Sequence, residues 1–391
     1  MKKLYRLLSL ALAALLMLTA PAFAEIETCP PVEAGIREIT VFGNITMDIS
    51  GDTLFSLGYE YGDIVTVDIA GHSIDMPLCK DYNYVDAGLF VFAILPPESI
   101  YAGAAVLAIN MGNLTGWLDI AEKRNTDVAP GYVWDYKDAY KDGVSIRLSL
   151  KEKGGYLDEM ALHQLEMSVV REDYPNLSDE EYANFRNIAT TGMGANVLYR
   201  SSSPVDPQYG RNFEADAAVN KAGISTIMNL GDTEVSLKNF ENYAYTYYSR
   251  LNVIPLDMSV EFEGDRFQRP LAEGLRYCIS HEGPYMIHCT MGKDRTGFVC
   301  ALLECLMGAS YDEVEMDYML TYKNFYGVEP GTKTWEAIAD GNIRKFLPKA
   351  FELETLDGAD LVACAEGYLR KIGMTEDEIS ALKTCLGTDI K

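Results

Sequence analysis

The chain has 391 residues, with 58 Asp and Glu against 33 Lys and Arg and a formal charge of −25. So acidic a surface excludes nucleic acid and anionic lipid as principal partners, since both are bound through dense basic patches. An apolar content of 48% excludes an acidic disordered tail.

Residues 1–24 start basic (Lys2, Lys3, Arg6), continue as an apolar run and close on Ala22-Phe23-Ala24, the pattern of a cleaved signal peptide. Its removal would leave 367 residues with 30 basic against 58 acidic side chains, a charge of −28. That is enough chain for two domains with a core each. No other apolar run approaches membrane-spanning length. Ile26-Glu27-Thr28 ahead of Cys29 is not the small, apolar context of a lipoprotein site. The expectation is a soluble exported protein, secreted, periplasmic or at the cell surface, with no stable membrane anchor.

Residues 25–150 read as a β-rich domain. Ile36–Phe42, Asp63–Ile69, Leu89–Ile94 and Ala104–Ile109 are β-branched or aromatic runs divided by Gly, Asn, Asp and Pro, which predicts a small barrel or sandwich. Gly62–Val67 followed by Leu107–Asn113 resembles the β-barrel half of bacterial S-adenosylmethionine hydrolase-type proteins, and no function is carried over from that likeness.

Residues 151–391 read as α/β. Tyr156–Met167 has apolar residues at helical spacing, and Ser178 with Glu181 forms a capping-box pattern. Strands are predicted at Val197–Tyr199, Ile224–Met228, Arg250–Ile254 and Pro284–His288. Helices are predicted at Phe213–Ala222 and Asp265–Ser280, and helices dominate from Phe298 onward. Strands alternating with helices predict a central sheet flanked by helices. The eight cysteines (29, 79, 278, 289, 300, 305, 364, 385) show no metal spacing, and most lie in apolar helical stretches, as buried small side chains do. His72, His163 and His281 are scattered, and no H-E-x-x-H occurs, so no metal and no other cofactor is expected.

One cysteine stands apart. The strand Tyr285–His288 runs into Cys289, and Thr290-Met291-Gly292-Lys293-Asp294-Arg295-Thr296-Gly297 leads into an apolar helix. A strand, a glycine-containing loop and a helix start form an anion site, because loop amides converge and the helix dipole adds positive potential. Gly292 permits the tight turn that sets Cys289 and Arg295 on opposite sides of one tetrahedral oxyanion. This field favours the thiolate, which attacks phosphorus in line and forms a phosphocysteine. Arg295 offers a planar fork to two phosphate oxygens, and Thr296 is placed to hydrogen-bond the sulfur as it leaves. His288 is expected to brace the loop and not to act as a base.

The run HCTMGKDRTG, residues 288–297, resembles the HC-x5-R-[ST] signature of the protein-tyrosine-phosphatase superfamily. Leu198–Ser202, Asn212–Leu230 and Ala365–Ile379 resemble the rest of its bacterial members with dual phosphoprotein and phosphoinositide activity. The resemblance covers roughly residues 190–388. It implies a tyrosine-phosphatase-like fold, a phosphoric monoester hydrolase needing no cofactor, and a phosphorylated protein or small phosphate ester as partner. Carried over onto this sequence, Thr290, Met291, Gly292, Lys293 and Thr296 would cradle the phosphate, and Arg200 would reach it from the neighbouring strand. Lys293 and Asp294 suit relatives that accept phosphoinositides or inositol polyphosphates as well as phosphotyrosine. The general acid stays open between Asp257, which follows a strand ending beside the loop but lacks a Trp-Pro-Asp context, and Asp294 within the loop. Asp232 is a poorer third, better read as a helix cap. Two readings compete: a silent phosphate-binding module, disfavoured because both Cys289 and Arg295 are present, and a rhodanese-type sulfur transferase, disfavoured by Arg295-Thr296 at this spacing.

Overall fold

Along strand β3 (Ile64–Ile69), Val65, Val67 and Ile69 are buried and the residues between them are partly exposed, the two-residue alternation of a sheet with one apolar face. The computed structural model describes residues 29–96, 102–126, 128–163 and 165–390; residues 1–24, expected to be a signal peptide, lie outside them. β3 joins β1 (Val32–Ile39), β2 (Ile45–Ser50), β4 (His72–Cys79), β5 (Phe90–Ile94), β6 (Ala104–Ile109) and β9 (Ser145–Glu152) in a closed barrel of order β1-β2-β6-β5-β4-β3-β9. Closure removes every free strand edge. Ile45, Met47, Val65, Val67, Met76, Leu78, Phe92, Leu107, Ile146 and Leu148 fill its interior.

Two features of this half bear on the site. The predicted strand Ile36–Phe42 ends at Ile39, because residues 40–44 close a tight turn: Gly43 has φ +83° and its N–H donates to the Thr40 carbonyl. Phe42 therefore stands at the tip of the β1–β2 hairpin. β7 (Ala121–Asn125) and β8 (Tyr132–Tyr136) form a separate two-stranded hairpin outside the barrel.

The second half is built on a five-stranded sheet of order β10-β11-β14-β12-β13, from β10 (Arg186–Asn187), β11 (Leu198–Ser201), β12 (Thr226–Asn229), β13 (Asn252–Pro255) and β14 (Tyr285–His288). β11, β14, β12 and β13 are parallel, and β10 is an antiparallel edge. The covering helices are α1 (Asn212–Lys221), α2 (Asp265–Ser280), α3 (Asp294–Met307), α4 (Tyr311–Tyr326), α5 (Lys333–Gly341), α6 (Ile343–Ala350), α7 (Leu361–Lys371) and α8 (Glu376–Gly387). α3 is apolar on nearly every face and is accordingly the central helix, enclosed by α4, α7 and α8. The expected α/β domain preceded by a small β-rich one is what the chain forms. The helix expected over Tyr156–Met167 is shorter, Leu157–Leu162, ending where the His163 ring takes the Glu159 carbonyl.

Candidate active site

Parallel pairing sets the C-terminal ends of four strands level: Ser201 and Asn229 both pair with His288, and Asn229 with Pro255. Ser202–Ser203, Gly231–Asp232, Asp257 and Cys289 thus emerge along one edge, where parallel sheets bind ligands. β14 is central and wholly buried, and Cys289 at its end is 4% exposed.

The loop after Cys289 is held by its carbonyls. The Thr290 carbonyl accepts from the Ser203 N–H at 3.0 Å. Those of Met291 and Gly292 accept from the Asn184 amide at 3.3 and 3.4 Å, and Gly292 also from Arg200 Nη2 at 2.8 Å. In a trans peptide the N–H points opposite to the C=O, so carbonyls drawn outward leave the amides of Met291, Gly292 and Lys293 facing inward. That is an anion-binding nest, continued by the N-terminus of α3. Gly292 is required twice over: its φ is +68°, and a Cβ there would lie 2.1 Å from the Ser201 carbonyl oxygen.

Arg200, expected to reach the substrate, lies behind the loop. Its side chain is fully buried, with Nη1 at 2.5 Å from Asp317 on α4. Arg186 donates to the other Asp317 oxygen at 2.7 Å. A guanidinium held by a carboxylate and a loop carbonyl is a brace, which corrects the substrate-binding assignment.

Arg295 lies in the first turn of α3, 5% exposed, with Nη1 donating to the Leu230 carbonyl at 3.0 Å and the Met258 carbonyl at 3.3 Å. These contacts fix the plane of the fork and tie it to the segments after β12 and β13. The Thr296 hydroxyl is buried with no partner among the described residues; in this conformation it does not bond the Cys289 sulfur. His288 is neutral, since burial pulls its value down to about 4 against a weaker effect of the Cys289 carbonyl. With Nδ1–H donating to that carbonyl at 3.2 Å, Nε2 accepts from the Tyr248 hydroxyl at 2.9 Å, whose oxygen accepts from Asn229 Nδ2 at 3.0 Å. Neither Tyr248 nor Asn229 stands in a recognisable motif; only the strand register brings Asn229 beside His288.

Of the three candidate acids, Asp257 follows β13 with a positive φ of 43°, a strained conformation that Asp tolerates better than most residues. Its N–H donates to the Asp232 carbonyl at 3.0 Å. Both its carboxylate oxygens accept from Lys123 Nζ, at 3.1 and 3.3 Å, and Arg266 Nη2 lies 3.6 Å away. Asp294 is more open, 29% exposed at the side chain, and 3.5 Å from Lys293 Nζ. Asp232 is not the cap: Thr233 caps the short turn Glu234–Lys238, while Asp232 accepts from Asn229, and burial raises its carboxyl above the usual range.

Lys293, expected to face the substrate, is turned away from it. Its buried ammonium donates to Asn83 Oδ1 of the barrel and lies 5.3 Å from the Tyr322 ring centre. Burial works against that charge, but Asp294, Tyr322, Tyr326 and Asp81 outweigh it and hold the ammonium well above its ordinary value. Phe42, from the barrel hairpin, lies over the Arg295 guanidinium at 4.9 Å.

All eight cysteines are free thiols, six of them buried. Among the described residues no three His, Cys, Asp or Glu side chains gather as a metal site, and no helix is long and apolar enough to cross a membrane.

Residues 262–388 match the tyrosine phosphatase family. A tyrosine-protein phosphatase from Nostoc commune is 31% identical over 133 residues, 29% of this chain and 42% of that protein, so the chain spans less than half the length of this curated relative. A solved structure of an uncharacterized conserved protein from Thermotoga maritima is 20% identical, covering 32% of this chain and 37% of that one, with a TM-score of 0.23, too slight a likeness to speak for the fold. The family match contains the whole phosphate loop and begins after Asp257 and the barrel.

Proposed function

We propose that the protein is an exported, cysteine-dependent phosphatase that hydrolyses phosphate monoesters, phosphotyrosine in protein foremost, through a phosphocysteine intermediate. The observation that carries this is the nest of inward amides between Cys289 and Arg295, closed by the α3 N-terminus. The Cys289 thiolate attacks phosphorus, and the bond to the leaving oxygen breaks as Asp257 gives that oxygen its proton. Water then attacks phosphorus, Asp257 takes back a proton, and the thiolate departs. Thr296, buried and unpartnered, is the donor for the departing sulfur. Loop amides and Arg295 supply the positive field for the equatorial oxygens. Export is inferred from residues 1–24.

Asp294 is a second reading for the acid, because it is the more exposed carboxyl and belongs to the loop. Turnover of aryl phosphates by Asp257→Asn and Asp294→Asn separates the two. Withdrawal of Lys293 to Asn83 favours a substrate with one phosphate over phosphoinositides or inositol polyphosphates. The primary test is hydrolysis of p-nitrophenyl phosphate, with reductant, by the protein and by Cys289→Ser. Inert wild type would sink the enzymatic reading, leaving a silent phosphate-binding module. A fully active serine variant would mean another nucleophile. Competition among phosphotyrosine peptide, phosphoinositide and inositol hexakisphosphate settles the substrate class.

A further inference from the structure

Three separate segments of the N-terminal barrel half end on side chains of the phosphate site. Phe42, at the β1–β2 tip, covers Arg295; Asn83, between β4 and β5, takes the Lys293 ammonium; Lys123, on β7, takes the Asp257 carboxylate. We propose that the barrel is a working part of the active site, and that Lys123 is a positioning residue which holds the Asp257 carboxyl over the phosphate loop for proton delivery to the leaving group. This rests on the phosphatase reading with Asp257 as the acid.

The environment of Lys123 is not that of a surface lysine. Its side chain is 2% exposed and that of Asp257 is 10%, whereas neighbours Glu122, Arg124 and Asn125 on the same strand are exposed. Lysines are rarely buried so deeply unless paired. The ring of Tyr132, across the hairpin on β8, lies 5.1 Å from the ammonium. Its two bonds to Asp257 fix both oxygens, and Arg266 from the first turn of α2 approaches from the other half at 3.6 Å. The carboxyl is thus oriented by cations from both halves, one residue before Met258, whose carbonyl binds Arg295. Orientation of this kind decides whether a proton reaches its target, because general acids act only within hydrogen-bond reach. Val41, Phe42 and Asn113 of the barrel line one cavity with Lys123, Asp257, Ser259 and Arg266, so the two halves meet at the Asp257 carboxyl.

A plain inter-domain ion pair would predict a different kinetic pattern, which gives the test. The full chain, Lys123→Met, Lys123→Arg, Asp257→Asn and the Lys123→Met/Asp257→Asn double variant are compared on phenyl phosphate, whose leaving phenolate needs a proton, and on dinitrophenyl phosphate, whose phenolate does not. A general acid contributes about 10²–10⁴-fold. Lys123→Met is therefore expected to lower kcat on phenyl phosphate by about 10–100-fold and on dinitrophenyl phosphate by less than about threefold. Lys123→Arg should restore most of the loss, and the double variant should be no slower than Asp257→Asn alone. Equal losses on both esters, no loss on either, or additive losses in the double variant would overturn the positioning role. So would an Asp257→Asn variant whose loss does not depend on the leaving group. Wild type inert on both esters would overturn the phosphatase reading and this proposal together; turnover that requires Cys289 keeps the first and leaves the kinetic pattern to decide the second.

Discussion

The phosphate loop and the Asp257 segment both touch the barrel but are held in different ways. The loop is braced by its own half: Ser203, Asn184 and Arg200 bind its carbonyls, and Asp317 on α4 backs Arg200. Asp257 is hydrogen-bonded from the other half, through a lysine that lies 134 positions earlier in the chain, with Arg266 of its own half 3.6 Å away. The difference separates two tasks. Binding a phosphoryl dianion needs a rigid cup, which one strand, one turn and one helix build locally. Placing an acid depends on what holds its carboxyl, and here a barrel lysine binds both oxygens of Asp257.

The largest effects should fall on the self-braced cup. Arg295→Lys keeps the charge and removes the fork, and should lower kcat/KM by about 10²–10³-fold, about 3–4 kcal/mol of transition-state stabilisation, without altering the melting temperature by more than a few degrees. A KM raised by the same factor with kcat unchanged would mean that Arg295 only binds. Arg200→Met removes a brace that touches no substrate. It breaks a buried ion pair and leaves the Gly292 carbonyl only its longer bond from Asn184, so it should cost about 3 kcal/mol of stability, the low end for such a change because Arg186 still faces Asp317. Urea denaturation measures that loss, and phosphate inhibition should weaken in parallel. Tight phosphate binding by a destabilised Arg200→Met would show that the nest keeps its shape without its brace.

These two variants also mark what the sequence makes legible. The run from Tyr285 to Gly297 is contiguous, so strand, glycine turn and helix start are readable from residue types in order, with the cysteine and the arginine at either end of the loop. The helix predicted over Asp265–Ser280 and the strand ending at His288 have those bounds in the structure, because hydrophobic period and burial agree there. The role of Arg200 was not readable: a basic residue near a phosphate site fits substrate binding as well as bracing, and only Asp317, 117 positions later, decides between them. Lys293 is similar, since its orientation depends on Asn83. Phe42, Asn83 and Lys123 carry no motif at all, and closure of the barrel against the sheet is a tertiary fact without a local signal.

A third expectation concerns pH and sets two buried groups with opposite shifts against each other. His288 is buried neutral with a value of about 4 against an ordinary 6.5. Its contribution is full above pH 6.5 and is lost as pH falls through about 4, about 3 kcal/mol in all. Asp206, after β11, is pushed the other way: burial raises it to about 6 from 3.8, with Asp232 adding and the Gln208 N–H opposing. Its contribution is full below pH 4 and is lost as pH rises through 6, also about 3 kcal/mol. Over this window the two nearly cancel. Denaturant midpoints from pH 4 to 7 should show His288→Asn gaining stability on acidification relative to wild type, and Asp206→Asn losing it. Identical pH slopes in all three proteins would mean that neither group is held as its burial implies.

The smallest effect tests the residue choice at the rim of the Asp257 segment. Asp232 and Thr233 are neighbours before the turn Glu234–Lys238, and either type serves as a helix cap. Thr233 does so, its hydroxyl accepting from the Ser236 N–H at 2.9 Å while the Ser236 hydroxyl returns to the Thr233 N–H at 2.9 Å. Asp232 points to Asn229, in the chain that runs through Tyr248 to His288. Thr233→Ala should therefore lower stability by about 1 kcal/mol with turnover unchanged. Asp232→Asn keeps the shape and removes a carboxyl whose charge burial disfavours, so it should cost no stability. A Thr233→Ala protein as stable as wild type would return the cap to Asp232, and would withdraw that carboxyl from the network beneath Cys289.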